Sequence, residues 1–334
     1  MKTELITGES AFIQLAAEWD SLAGRGMTDT PFQTLAYQQA WWAHLKPEGA
    51  SLLTIITRSD AGELLGIGCF YIINGLIHFN GCVEETDYLD LICSRDDAQA
   101  VWKATLSQLI ANEGSNWSQI DLCNIPAVSP TREILPALAA ESGYRVTETI
   151  QEVCPIIRLP DTFDAYLESL DSKQRRELVR KLRRAEGSDV HTTIITPDSD
   201  IYSEVESFLE LLQKSTFEKR DWLNEGRRAL FHEIARLAQQ TNTLQLIFTS
   251  IEDRRAAALF NFDYKDRIWV YNSGLDPSAF AALSPGVVLT ANAIETAIKL
   301  GRKEFDFLRG SEEYKYRFGA ADTSIYRICL DRTS

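Results

Sequence analysis

The densest set of groups able to do chemistry lies near the C-terminus, in Leu283–Ala320: LSPGVVLTANAIETAIKLGRKEFDFLRGSEEYKYRFGA. Lys315 sits between Tyr314 and Tyr316. A tyrosine can act as general acid to a leaving thiolate or hydroxyl; aromatic packing is the alternative. Arg309 and Arg317 could clamp a carboxylate or phosphate bidentately, or pair with Glu312 and Glu313. Asp306 is a candidate general base. However, Ile120-Asp121-Leu122 occupies the place in the first half that Phe305-Asp306-Phe307 occupies in the second. A residue present in both halves is better explained by structure than by catalysis. At the same offset Arg309 and Lys315 face Asn124 and Pro130, so the chemistry is expected in the C-terminal half.

Other chemistries lack their residues. The four histidines form no H-E-x-x-H and the six cysteines no C-x-x-C, so no metal is expected. The cysteines sit mostly in apolar runs and read as reduced core thiols. There is no Ser-His-Asp or Cys-His signature for a covalent intermediate. A net charge of −14 disfavours DNA and extended polyanions. The exception is KQRRELVRKLRR at 173–184, seven basic residues against one acidic. Leu178 and Leu182 would anchor this helix, leaving residues such as Arg176 and Arg180 as a solvated face or an anion site. Acidic residues come early in the N-terminal stretch, and the most apolar run, Leu64–Ile73, is ten residues long. A cytoplasmic protein without integral membrane association is expected.

The elements that would position these groups repeat. A helix over Glu9–Leu22 and another over Leu35–Leu45 precede strands at Ser51–Thr57, Glu63–Ile73 and Leu76–Asn80, the last two joined by the hairpin signal Asn74-Gly75. A helix at Asp96–Ala111, a strand at Ser118–Cys123, a helix from Pro130 and a strand at Val146–Leu159 follow. After the bridge Pro160–Glu186 come strand His191–Thr196 and helices Ile201–Leu212 and Leu223–Ala238. Strands Thr243–Thr249, Arg255–Tyr264 and Arg267–Asn272 lead to helix Gly286–Leu300, strand Glu304–Leu308, the polar-aromatic segment Ser311–Gly319 and strand Ser324–Leu330. The order predicts a duplicated α/β unit with mixed sheets covered by helices. Its halves are 1–159, for acceptor recognition or structure, and 191–334, for chemistry, joined by the basic segment 160–190. In the first half Asp87, Tyr88 and Asp90, with Trp41 and Trp42, could meet a sugar or an amine, although core packing suits the tryptophans better.

The S-P-G that opens a helix, the F-D-F-x-R-G after it and Y-K-Y-R-F-G resemble the GNAT acyltransferase superfamily, and most closely its CelD-like branch. Tyr166–Glu186, Phe32–Leu45 and the Asp87–Asp90 tetrapeptide carry the likeness over most of the chain. The duplicated order is also similar to the Fem-type peptidyltransferases. The resemblance implies a tandem GNAT-like fold and acyl transfer from acetyl-CoA or another acyl-CoA to a small-molecule, sugar or polysaccharide-precursor acceptor, without a metal. It implies that Asn272, at the end of its strand, and Ser284, Pro285, Gly286 and Val287 hold the acyl-CoA. It gives Lys315 the task of stabilising the oxyanion, with Tyr316 and Asp306 beside it, and gives Arg309, Tyr314, Arg317, Arg176 and Arg180 to substrate. A GNAT phosphate loop usually reads Gln/Arg-x-x-Gly-x-Gly/Ala, whereas Leu283–Val288 keeps a single glycine and a proline without an N–H. Aminoacyl-tRNA as donor, and a binding module without turnover, therefore stay open.

Overall fold

The computed structural model describes residues 1–82, 85–111, 117–278 and 280–332. The chain forms two compact units, Met1–Val153 with Ser324–Ser334, and Cys154–Thr323. This division differs from the one read off the sequence. The basic segment is part of the second unit, and the last strand returns to the first.

In unit 1 the order is β1 (Lys2–Thr7), α1 (Ser10–Gln14), α2 (Trp19–Ala23), α3 (Leu35–Leu45), β2 (Ser51–Arg58), β3 (Leu64–Ile73), β4 (Leu76–Phe79), β5 (Ile92–Cys93), α4 (Ala98–Ala111), β6 (Gln119–Pro126), α5 (Thr131–Glu141) and β7 (Tyr144–Arg158). The helix expected over Glu9–Leu22 is two short helices. Tight turns at Ala16 and Glu18 separate them, and Phe12, Leu15, Trp19 and Leu22 are all buried. Strands β2, β3 and β4 form an antiparallel meander, and β4 pairs with β6 in parallel. Cys82 and Cys123 are bonded to each other, their Cα atoms 6.1 Å apart. This corrects the expectation of six free thiols: Cys82 follows β4 and Cys123 lies on β6, so strand pairing brings them together. Cys69, Cys93, Cys154 and Cys329 are free.

Unit 2 continues with α6 (Phe163–Ser169), α7 (Ser172–Glu186), β8 (Val190–Ile194), α8 (Ile201–Ser215), α9 (Phe217–Trp222), α10 (Glu225–Gln240), β9 (Leu244–Ile251), β10 (Arg254–Tyr264), β11 (Arg267–Leu275), α11 (Pro285–Lys299), β12 (Glu304–Asp306), α12 (Glu313–Arg317) and β13 (Ala321–Arg332). The topology of unit 1 recurs. Strands β9, β10 and β11 form an antiparallel meander, and β11 pairs with β12 in parallel. The strand closing each half is exchanged: β12 pairs with the end of β7, and β6 pairs with β13. One sheet face packs on α11 through Leu259, Val270, Leu289 and Ile294. On the other face Phe208 of α8 and Phe231 of α10 meet Phe260. Gly274 permits this closeness, since a Cβ there would lie 2.7 Å from Leu211 Cβ and Leu212 N. Among the described residues Ala281–Lys299 alone has the length and hydropathy of a membrane span. Half of it is buried, as befits the core helix it is.

Candidate functional site

The sheet of unit 2 opens at β11. This strand runs nine residues, yet its parallel pairing with β12 covers only Arg267–Trp269 against Glu304–Asp306. Beyond it a bulge at Tyr271 shifts the register against β10: Asn261 faces Val270 and Phe260 faces Asn272. β10 stays paired with β11 to Leu275 while β12 leaves it after Trp269, and a cleft of about 480 Å³ lies beside this free edge of β11. Its wall includes Leu259, Val270, Ser273, the start of α11, Phe307 and Tyr314. Splayed strands leave backbone groups free to hold an extended ligand, and a helix N-terminus beside them suits an anion.

That N-terminus is short of donors. Ser284, at φ 52°, gives its N–H to Ala281 O, and Pro285 has none. Val287 N–H bonds Ser284 O at 3.0 Å, leaving Gly286 as the open N–H of the first turn among the described residues. A Cβ on Gly286 would meet only Leu275 Cδ1 at 3.8 Å, so its side faces open space in the cleft. Ser284, Pro285, Gly286 and Val287 all line the cleft, as the resemblance implies for a donor site. Asn272 does not line it. Its Oδ1 accepts Lys219 Nζ at 3.0 Å and Ser273 N–H at 2.9 Å.

Lys315 is built into the loop that ends the cleft. It is 2% exposed, and its Nζ donates to the carbonyls of Leu308 (3.3 Å), Arg309 (2.7 Å) and Gly310 (3.0 Å) and pairs with Glu312 at 2.8 Å. Leu308 and Gly310 have φ of 56° and 107°, so three successive carbonyls converge on one ammonium. Asp306, fully buried, steadies the same loop by accepting Leu308 N–H at 2.7 Å. Its counterpart Asp121 is bonded by both arms of Arg327. These geometries favour the structural account of the repeated aspartate. Tyr314, 40% exposed, stands edge-on to Phe307 on the cleft wall, where partial desolvation of its hydroxyl, with the Glu312 carboxylate, raises its phenol pKa. The Tyr316 hydroxyl instead donates to Asp322 at 2.8 Å, and its carbonyl accepts Gln174 Nε2. Arg309 is half-buried.

Helix α7 borders a second cleft, which shares Val287, Tyr314 and Phe318 with the first. Lys173, Lys181 and Arg317 line it, but so do Asp171, Glu177 and Glu313. Arg317 pairs with Glu313, and Arg180 with Glu177. Arg176 is exposed, and Arg184 reaches Ala282 O at 3.0 Å, beside the start of α11.

In unit 1, Asp87 and Tyr88 are buried, as are Trp41 and Trp42, so they are not exposed to an acceptor. Asp90 is buried too. Its carboxylate accepts Ser129 Oγ, Thr131 Oγ1 at 2.6 Å, Leu91 N–H at 2.8 Å and Thr28 Oγ1 at 3.3 Å. Burial outweighs these bonds and pushes its pKa up to about 6, from 3.8. The raised folded pKa means that Asp90 favours the folded state below about pH 4, and the gain is lost as pH rises through 6. In urea unfolding, the stability difference between wild type and Asp90→Asn should favour wild type by about 2 kcal/mol more at pH 4.5 than at pH 7.

The sequence reading missed Lys219. It lies on α9, a helix not expected from the sequence, and its half-buried ammonium reaches β11 where the sheet opens. Nζ lies 2.6 Å from Ser273 O and 3.2 Å from Ser273 Oγ, besides Asn272 Oδ1. Burial pushes its pKa down to about 8, Glu312 opposing and Lys315 assisting. In Thr216–Trp222 the sequence shows only mixed charges, and nothing marks one lysine as turned inward.

Among the described residues no cluster of His, Cys, Asp and Glu could hold a metal ion. Residues 172–316, which include α7, α9, β11, α11 and Lys315, match the acetyltransferase (GNAT) domain family. No curated protein matches the chain by sequence. Among solved structures, FemX superposes with a TM-score of 0.69 at 10% identity, covering 98% of this chain and 97% of its own. L-PGS from Bacillus licheniformis gives 0.59 at 10% identity, over 95% and 92%. A tandem GNAT protein from the clavulanic acid biosynthesis pathway gives 0.51 at 10% identity, over all of both chains. The opening of β11 from β12, the helix start beside it and the exchange of closing strands between halves have one common reading: the chain has a duplicated, Fem-like GNAT fold, whose second half contains the residues that match the GNAT domain family.

Proposed function

We propose that unit 2 transfers an acyl group from an acyl-CoA to an amine or hydroxyl of a small-molecule, sugar or polysaccharide-precursor acceptor. The observation that carries this reading is the cleft between β11 and the start of α11. It has an open strand edge for the donor arm and an apolar wall that excludes water from the reacting carbonyl. Acyl transfer needs little more than positioning and a stabilised oxyanion, and no metal or covalent intermediate. Unit 1 serves as scaffold or acceptor platform, and the protein works in the cytoplasm without crossing a membrane.

A second reading, aminoacyl-tRNA as donor, is favoured by one observation. Among the described residues the first turn of α11 offers a single open N–H, while Arg184 of α7 reaches Ala282 O beside it. Thermal melting with acetyl-CoA, longer acyl-CoAs, free CoA and aminoacyl-tRNA separates the two. A ligand at a hundred times its Kd stabilises by about 2.7 kcal/mol. A shift with CoA thioesters supports the first reading. A shift with aminoacyl-tRNA alone, steeply weakened by salt, replaces it with the second.

A further inference from the structure

We propose that Ser273 and Lys219 form a donor pair in the unit 2 cleft: the Ser273 hydroxyl meets the oxygen of the acyl carbonyl, and Lys219 positions it from behind. This inference rests on the acyl-transfer reading above.

The placement follows from strand parity. Across β10 and β11, Asn261 faces Val270, and Leu259 faces Ser273. The extra residue Tyr271 restores the alternation, so Ser273 shares the face of Val270 and Leu259. Both of those line the cleft, and so does Ser273. Without the bulge Ser273 would point to the α8 side. Of the three other cleft hydroxyls, Ser284 sits at the N-cap of α11 and the remaining two are placed differently. Thr290 Oγ1 donates to Gly286 O, and Tyr314 has only the apolar Phe307 as a described ring neighbour.

Lys219 determines where the serine hydrogen goes. As an ammonium it has three N–H donors, and three oxygens surround it: Asn272 Oδ1, Ser273 O and Ser273 Oγ. With Oγ accepting from Lys219, the Ser273 hydrogen must turn away from the lysine. A cation bonded to a hydroxyl also strengthens that hydroxyl as a donor. Glu312 and Lys315 are the charged groups that act on Lys219. In the step itself the acceptor nitrogen bonds to the carbonyl carbon, and the bond from carbon to the leaving sulfur or oxygen breaks. The leaving atom takes the proton that the nitrogen gives up. Ser273 keeps its proton throughout, and its hydrogen bond tightens as the carbonyl oxygen gains charge.

The test uses the full chain with 4-nitrophenyl acetate as donor and hydroxylamine as acceptor, so neither CoA nor tRNA is needed. Release of 4-nitrophenolate above the protein-free rate is expected. Ser273→Ala should lower kcat about a hundredfold with KM within about twofold, the size of effect seen when one oxyanion donor is lost. Lys219→Met should fall in parallel and Lys219→Arg recover most of the loss, because arginine keeps the cation. A purely structural lysine would move the melting temperature and not split kcat from KM. Ser273→Ala removes one oxygen and serves as the readout should Lys219→Met fail to fold. No release by wild type, or equal kcat in Ser273→Ala, overturns the pair. Acetyl-CoA binding by thermal shift, measured in parallel, keeps the outcomes apart. Binding with a kcat indifferent to Ser273 sinks the pair and spares the cleft. Serine-dependent release without CoA binding sinks the donor and spares the pair.

Discussion

Replacing Lys315 by methionine should destabilise unit 2 by about 3–5 kcal/mol and remove donor binding with it. The ammonium is 2% exposed and holds three consecutive carbonyls besides Glu312. Methionine fills similar space but donates nothing, so three carbonyls aimed at one point lose their partner, and Leu308 and Gly310 lose the reason for their positive φ. The loop they form carries Phe307 and Tyr314 into the cleft wall, so its collapse reaches the donor site. For a unit of this size the melting temperature should fall by about 10 °C. Calorimetry with a thermal-shift donor titration checks this. An oxyanion lysine projecting into the cleft would give the opposite pattern, with unchanged melting and binding and a lost kcat.

The second large effect is expected at Gly286. A Cβ there points into open space, with Leu275 Cδ1 at 3.8 Å, and the residue lines the cleft at the first turn of α11. Gly286→Ala should bind donor nearly as the wild type does. Gly286→Trp should fill the cleft mouth and weaken binding at least a hundredfold, while unit 2 melts within a few degrees of its normal temperature. Isothermal titration with the donor found in the melting panel reads both. Undiminished binding in the tryptophan variant would place the donor elsewhere, the second cleft along α7 being the next position to probe. The paired charges there, Arg317 with Glu313 and Lys181 with Glu177, weaken it as a phosphate site compared with an unopposed basic stripe.

Much of the architecture was legible because it is local. The meander of three strands is marked by turn residues between apolar runs, and its recurrence exposes the duplication. That recurrence also weighed against Asp306, which the family resemblance kept among the catalytic candidates, since Asp121 stands at the matching place on β6. The S-P-G segment was legible as a helix start. Side-chain destination was not. Lys315 and Lys219 are both lysines in short polar helices, yet one is enclosed by the carbonyls of its own loop and the other reaches a strand 53 residues away. No spacing rule distinguishes them, because burial of an ammonium depends on where carbonyl oxygens from other segments converge. Asp87 and Tyr88 read as surface contacts for the complementary reason: polar residues look exposed until the strands and helices that cover them are assembled.

Sequence by itself therefore determined the mixed α/β class, the repeat and the likeness to the GNAT fold. Hydrophobic period and turn chemistry act over a few residues and survive without a partner. Tertiary structure alone decided which cations serve the loop and which face the open strand. It also decided that the bulge at Tyr271 turns Ser273 toward the cleft, and that β7 and β13 exchange halves. Each of these depends on the register between segments far apart in the chain, where a shift of one residue reverses every side chain.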